Sequence, residues 1–548
     1  MPSTAGGRPP RVVGHTPRRP GWYGCEDKIA WLLRVNRLHN CQERLTSLTG
    51  FAAAFRGGCW PDPVSASQIS RWETGAIRAG YGVLRRYEQL LGVAPSHLIA
   101  VADWAYRKAS HLAGPPVLDR GLDPANPQVN DRTGQLLDQA LSADLMTGPD
   151  WAELTSHLAI LPAAFLYPRA SWADLAERLL AELLIADGTA WLSRTEGLAR
   201  LIAHPRGRPP IIAACAALVA DPASQLVIEP LAIFDLTAKR DINQHMLAQL
   251  VHLASRRAPG RALAVGEKDP RWRLRPAQSR GLADTATDLI TMTDPHNEAR
   301  HLAAELLRRA ATGQLGPACD RLRRAIGPTT QSLLIRAQPS IPATATQVIA
   351  RVLAATIARM PRQPPAHTDP MLSRLLGDLL FSPNQNQRLI AGQFIAATPY
   401  REPVGAALAA ELATAPAAHT VALTTALLAA IPFVGHPADR PIVERFVTAA
   451  GLAAPITDTA AWTIGHIPGH SDEQFWLTAI EIHVRAWQHT RNPTSISALR
   501  GLTHALGIGC HHDLLRTFCA DTRLPAPARV AVDWWLNMPA RIHASAAQ

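Results

Sequence analysis

The sequence predicts an all-α protein: a small module of five short helices over residues 25–110, then a long stack of helix pairs. Three observations lead there. Apolar residues recur at three- and four-residue spacing almost throughout, as one buried helix face requires, and no stretch alternates convincingly with period two. In the second half, small-residue-rich apolar segments running into proline recur at near-constant intervals, the mark of a repeated helical unit. The 548 residues exceed one domain of roughly 150 residues, and 47% hydrophobic against 18% charged residues suffices for a large core.

Residues 1–24 read as a flexible basic arm, with Arg8, Arg11, Arg18 and Arg19, many Gly and Pro, and no acid in the first twenty positions. Ile29, Leu32, Leu33 and Leu38 give the first helical stripe, and Leu45, Leu48, Phe51, Ala52 and Phe55 the second. A break at Gly57-Gly58-Cys59-Trp60-Pro61-Asp62-Pro63 follows. A short helix from Ser65 to Thr74 is stopped by Gly75, another from Tyr81 to Leu91 by Gly92, and a fifth starts near Pro95-Ser96.

Residues 111–133 are rich in Gly, Pro, Asp and Asn and read as a linker. Residues 134–285 are expected to be helical, either degenerate copies of the later unit or a separate arrangement. Val227 to Phe234 is the nearest approach to a strand and fits a buried helix equally well. Over 286–548 the repeated unit ends at Pro328, Pro361, Pro399, Pro432, Pro468, Gly507 and Pro539, with spacings of 33, 38, 33, 36, 39 and 32 residues. Periods of this length without strands indicate stacked helix pairs; an irregular helical bundle is the alternative.

Charge is unevenly placed. The chain carries +11, and residues 1–110 hold 15 Lys and Arg against 7 Asp and Glu, so +8 falls in one fifth of it. A basic block calls for a polyanionic partner. Only four residues (Lys28, Lys108, Lys239, Lys268) are lysine, and none follows a glycine, which excludes a phosphate-binding P-loop. Zinc-protease, C-x-x-C and G-x-S-x-G patterns are missing, so no enzymatic activity, cofactor or metal is expected. The arginine excess also fits a GC-rich coding bias. Seven scattered cysteines and no apolar leader or membrane span point to a cytoplasmic, nucleoid-associated protein.

The informative segment is Val64-Ser-Ala-Ser-Gln-Ile-Ser-Arg-Trp-Glu-Thr-Gly75. At about 100° per residue, Ile69 and Trp72 fall on one side, and Ser67, Ser70, Arg71 and Thr74 on the other. A short helix with small polar side chains and one arginine outward can enter a major groove, where Arg71 reaches guanine O6 and N7 or a phosphate. Ser65 and Gln68 stand at capping-box spacing, which gives Gln68 a structural role as an alternative to base reading.

This segment resembles the recognition helix of XRE/Cro-type helix-turn-helix regulators, whose pattern V-S-x-S-x-I-S-x-W-E-x-G is met by Val64, Ser65, Ser67, Ile69, Ser70, Trp72, Glu73 and Gly75. The next helix of that family is matched by Leu84, Tyr87, Leu91, Gly92 and Val93, and the one after by Ser96 to Ile99. The resemblance covers residues 25–105. It implies double-stranded DNA as partner, with contacts from Ser65, Ser67, Gln68, Ser70, Arg71, Thr74, Arg78 and Arg85, and with Gln42 as the candidate for the family's second-helix glutamine. Of Arg85 and Arg86, one is expected toward DNA, and the other solvated or paired with Glu88. The sequence departs from the family in the enlarged 56–63 turn, which reads either as a wing against the sugar-phosphate backbone or as a surface insertion. The basic arm is either a minor-groove contact or a solubilising tail.

Residues 300–545 resemble HEAT-type repeats, which implies a curved interaction surface. A helix-turn-helix head on such a body is similar in architecture to peptide-sensing regulators of Gram-positive bacteria. A homodimer and a peptide or protein effector at the repeats are therefore expected. A scaffold whose helix-turn-helix domain contacts protein is the alternative. Three constellations carry less: Cys510-His511-His512-Asp513 with Cys519, Cys25 and His39 with Cys41 and Cys59, and Gly469-His470-Ser471-Asp472. None has the spacing of a known site.

Overall fold

The computed structural model describes residues 24–110, 118–220 except 165 and 169, 287, and 344–548 except 362–368, 383–384 and 415–419. Among the described residues every regular element is helical, and no helix is long and apolar enough to cross a membrane. The arm at 1–23, the Val227–Phe234 stretch and the unit ending at Pro328 lie outside them.

Six helices, not five, occupy the first module: α1 (Cys25–Leu38), α2 (Glu43–Thr46), α3 (Leu48–Phe55), α4 (Ala66–Glu73), α5 (Tyr81–Leu91) and α6 (His97–Ser110). The second stripe is split because Ser47 takes an extended conformation, ψ 146°, and its hydroxyl accepts the Gly50 N–H at 3.0 Å, restarting the helix. Helix α6 is capped from afar. The Glu88 carboxylate accepts the N–H groups of Ser96, Leu98 and Ile99 at 2.9, 2.7 and 3.0 Å, so Glu88 is not a partner of Arg86. Burial pushes the Glu88 carboxyl up to about 7, against the pull of those donors.

Helix α7 (Pro127–Leu141) begins inside the segment expected to be a linker, with Asn126 as its cap and Pro127 at its first position. With α8 (Gly148–Ala159), α9 (Ser171–Ile185), α10 (Gly188–Ala203) and α11 (Arg208–Ala220) it packs around Trp151, Leu154, Leu179 and Leu198. Inside this group Glu182 is completely buried yet fully used: it binds Arg178 at 2.9 Å, Arg194 at 3.1 Å and the Trp151 indole at 2.7 Å.

From residue 345 the helices are α12 (Ala345–Arg359), α13 (Pro370–Phe381), α14 (Gln385–Ala396), α15 (Arg401–Thr414), α16 (Val421–Val434), α17 (Arg440–Thr448), α18 (Ala454–Thr463), α19 (Glu473–Thr490), α20 (Pro493–Ile508), α21 (His512–Ala520), α22 (Ala526–Leu536) and α23 (Ala540–Ala546). Helices α14, α16, α18, α20 and α22 pack successively on one another, and α15, α17 and α19 lie along their other side. Small residues set the spacing in α20. A side chain at Gly501 would meet the Trp462 backbone at 2.9 Å, and one at Gly507 would enter the Trp535 ring. Gly507 lies in the last turn of α20, which ends one residue later at Ile508 with Gly509 as its cap.

Pro432 fails to end its helix; α16 runs through it to Val434. Proline there has no N–H for the Leu428 carbonyl, and the Thr463 hydroxyl of α18 supplies the missing donor at 3.2 Å. Substituting Thr463→Val is therefore expected to cost about 1–3 kcal/mol, the desolvation penalty of one buried carbonyl. Thermal denaturation checks this, with Thr457→Val, at a half-buried position of α18, as the near-neutral comparison.

The body closes on itself. Helix α23 packs on α9, where Ser545 receives the Met146 N–H on its hydroxyl at 3.2 Å and Arg194 on its carbonyl at 2.5 Å. At the α9–α10 turn, Asp187 meets His466 at 2.9 Å. The last helices therefore engage the first half of the body rather than presenting a free repeat end.

Candidate nucleic-acid interface

Helix α4 is short because both ends are specified. Ser65, extended at ψ 155°, accepts the Gln68 N–H on its hydroxyl at 3.1 Å. Gly75, at φ +70°, turns the chain away after Thr74 in a conformation glycine adopts without strain. Ile69, Trp72 and Glu73 are buried, while Ser65, Ser67 and Arg71 are exposed and Gln68, Ser70 and Thr74 half-buried. Helix α4 packs on α1 and α3 through its buried side.

Glu73 is the anchor of this arrangement. Its carboxylate takes Arg37 of α1 in a two-pronged ion pair, both contacts at 2.6 Å, and the Tyr87 hydroxyl of α5 at 3.0 Å. Arg37 donates further to the Thr46 carbonyl. One buried pair thereby ties α1, α2, α4 and α5 together, fixing where the outer face of α4 points. Sequence reading gave Arg37 no role. The available signal was a charge on each apolar stripe: Glu73 falls near Ile69 and Trp72, and Arg37 follows Leu33 by one turn.

The enlarged 56–63 turn is pinned from within. Trp60 packs against both Phe55 and Trp72, ring centroids 5.4 and 5.8 Å away, and Gly57 and Trp60 exchange backbone hydrogen bonds of 2.6 and 3.0 Å. Arg86 is buried beneath it and donates to the carbonyls of Phe55, Ala54 and Arg56 at 2.6, 2.8 and 3.3 Å, closing the end of α3. Its neighbour Arg85 is exposed, with no side-chain partner.

The other expected contact residues differ in how free they are. Arg71 has no side-chain hydrogen bond or ion pair. Gln68 does not return a hydrogen bond to Ser65, so only half of the capping box forms. The Thr74 hydroxyl donates to the Ser70 carbonyl at 2.7 Å. Arg78 lies 3.8 Å over the Tyr106 ring and 3.9 Å from Glu26, and Tyr106 itself donates to Glu26 at 2.8 Å. Gln42 is exposed at the cap of α2, accepting Arg44 at 3.3 Å, one helix earlier than the α3 segment that packs on α4.

The module is docked on the body at two seams. Along the first, α6 meets α10: Arg107 binds Glu196 at 2.8 and 2.9 Å, and Asp103 binds Arg200 at 2.5 Å, all of them buried. Arg120 joins Asp103 at 3.8 Å and lies 4.8 Å from the Tyr81 ring. Along the second, the Trp31 indole donates to both Asp369 oxygens at 2.8 and 3.1 Å and stacks on Tyr400, and Asn36 donates to the Ala397 carbonyl at 2.9 Å. Helix α1 therefore carries α4 on one side and the body on another.

Among the described residues no group of His, Cys, Asp and Glu has metal-binding geometry. The Ser471 hydroxyl lies between Arg440 at 2.7 Å and Glu444 at 2.5 Å, and Trp535 is buried against His504 and His543. Comparison with known protein families, curated proteins and solved structures finds no match to this chain.

Proposed function

We propose that this protein is a sequence-specific DNA-binding transcriptional regulator in which α3 and α4 act as a helix-turn-helix, with α4 entering the major groove. The observation that carries the reading is the outer face of α4: Ser67, Ser70 and an unpartnered Arg71 on a short helix whose other side is locked by Ile69, Trp72 and the Glu73–Arg37 pair. Small side chains let the helix approach base edges, and the rigid backing fixes the backbone from which Arg71 reaches, so only its own rotamer freedom is lost on binding. Exposed Arg44, Arg56 and Arg85 supply phosphate-attracting charge on the same module. Arg37, Arg86 and Arg107 are internal, but so are Glu73, Glu88 and Asp103, so the excess of +8 over residues 1–110 is unchanged when the buried charges are set aside.

One such module buries only about 600–1,000 Å² on DNA, so the reading includes a homodimer on paired half-sites, with the helical body holding the dimer contact and an effector or protein-partner site. Two observations favour a scaffold as second reading: Arg78 is engaged by Tyr106, and Ile77 and Leu38 are exposed at 37% and 42% on the same module. Arg71→Ala separates the two. DNA reading predicts a loss of specific affinity of about 5- to 150-fold (1–3 kcal/mol for one bidentate base contact) with non-specific binding little changed. A scaffold predicts no DNA binding by either protein at low salt.

A further inference from the structure

Helix α19 is capped by Arg491, where the chain turns into α20, and the 521–525 segment leads into α22. Between them lies a groove of about 590 Å³, lined by Trp487, Arg491, Ile496, Arg523, Leu524 and Pro525 among others. That volume lies in the range of small-molecule sites, roughly 300–1,000 Å³. Its lining is mixed: aliphatic and proline side chains together with an indole and two guanidinium groups.

The two arginines are not equivalent. Arg523 is spent, its fork holding Glu481 at 2.7 and 3.1 Å and Asp521 at 2.8 to 3.2 Å. Arg491 has no hydrogen-bond acceptor for its guanidinium, which is held 5.1 Å over the Trp487 ring. Its backbone is left-handed, φ 52°, at a helix end where glycine or asparagine would be the unstrained choice. A strained arginine is thus kept at the mouth of a partly apolar groove with one positive charge unmatched.

We propose that this groove binds a small carboxylate with a flat apolar body, the carboxylate on Arg491 and the body against Ile496, Leu524 and Pro525. One free guanidinium matches one planar, two-oxygen anion. A dianion would need a second cation, and Arg523 is already committed to two carboxylates of the protein. The site is independent of DNA binding and stands or falls without it.

The test uses the full chain and ligand-observed NMR with phenylacetate and naphthoate, each beside its neutral primary amide. The acids are expected to bind, with the amides at least about tenfold weaker, since a charge-assisted pair is replaced by neutral contacts. Arg491→Gly removes the guanidinium while relieving the left-handed backbone, so it is expected to abolish the preference for acids and to raise the melting temperature. Loss of binding in a more stable protein cannot be a folding defect. Equal binding of acids and amides, undiminished acid binding by the glycine variant, or no acid binding at millimolar concentration would each overturn the proposal.

Discussion

Glu73→Ala is expected to destabilise the first module by about 3–5 kcal/mol, because it leaves the Arg37 guanidinium buried with its carboxylate removed. The same change strips the Tyr87 hydroxyl of its acceptor. In a protein of several packed regions a single unfolding free energy is poorly defined. The readout is therefore amide hydrogen exchange, which should rise in α1, α4 and α5 and stay near wild type in α16 to α22. The double replacement Arg37→Met with Glu73→Leu should recover much of the loss, since similar-sized apolar groups carry no uncompensated charge. Unchanged exchange in α4 after Glu73→Ala would show that the pair does not brace that helix.

Arg200→Ala is the second large effect, again about 3–5 kcal/mol, for it leaves the Asp103 carboxylate buried with only Arg120, 3.8 Å away, as counter-charge. Its consequence lies elsewhere. Asp103 belongs to α6 and Arg200 to α10, so exchange should rise along the α6–α10 seam while α4 and α5, held by Glu73 and the aromatic cluster, keep their protection. The two variants thus divide the bracing of α4 from the docking of its module. A rise confined to α4 in Arg200→Ala would contradict that division.

The sequence made much of this legible for local reasons. Helix starts and stops at Ser65, Gly75 and Gly92 are set by residues within one turn, and the inward side of α4 follows from the spacing of Ile69 and Trp72. What it hid depends on partners distant in the chain. Trp60 looked like part of a surface turn, yet its value is contact with Phe55 and Trp72. Glu88 caps α6 from α5, which no reading of the helix start at Ser96 reveals. Pro432 reads as a helix stop on its own, and only Thr463 explains why the helix continues. The linker reading of 111–133 failed from Pro127 onward because Gly, Pro and Asp mark helix caps as readily as loops, and Asn126-Pro127 is such a cap.

Docking changes what regulation would mean for this protein. A module fastened at Trp31–Asp369 and at Asp103–Arg200 does not swing on a tether; its orientation is that of α1, α6 and α10 together. Any effector on the body would act by biasing these seams, and two modules in a dimer would be spaced by the body itself.

Fluorescence anisotropy of the full chain on genomic DNA fragments across a salt series, wild type beside Arg71→Ala, tests the central claim most directly. Salt-dependent binding by both proteins is expected, with wild type binding its preferred fragment about 5- to 150-fold more tightly than Arg71→Ala does. Identical fragment preferences in the two proteins, or no binding by wild type at low salt, would contradict it.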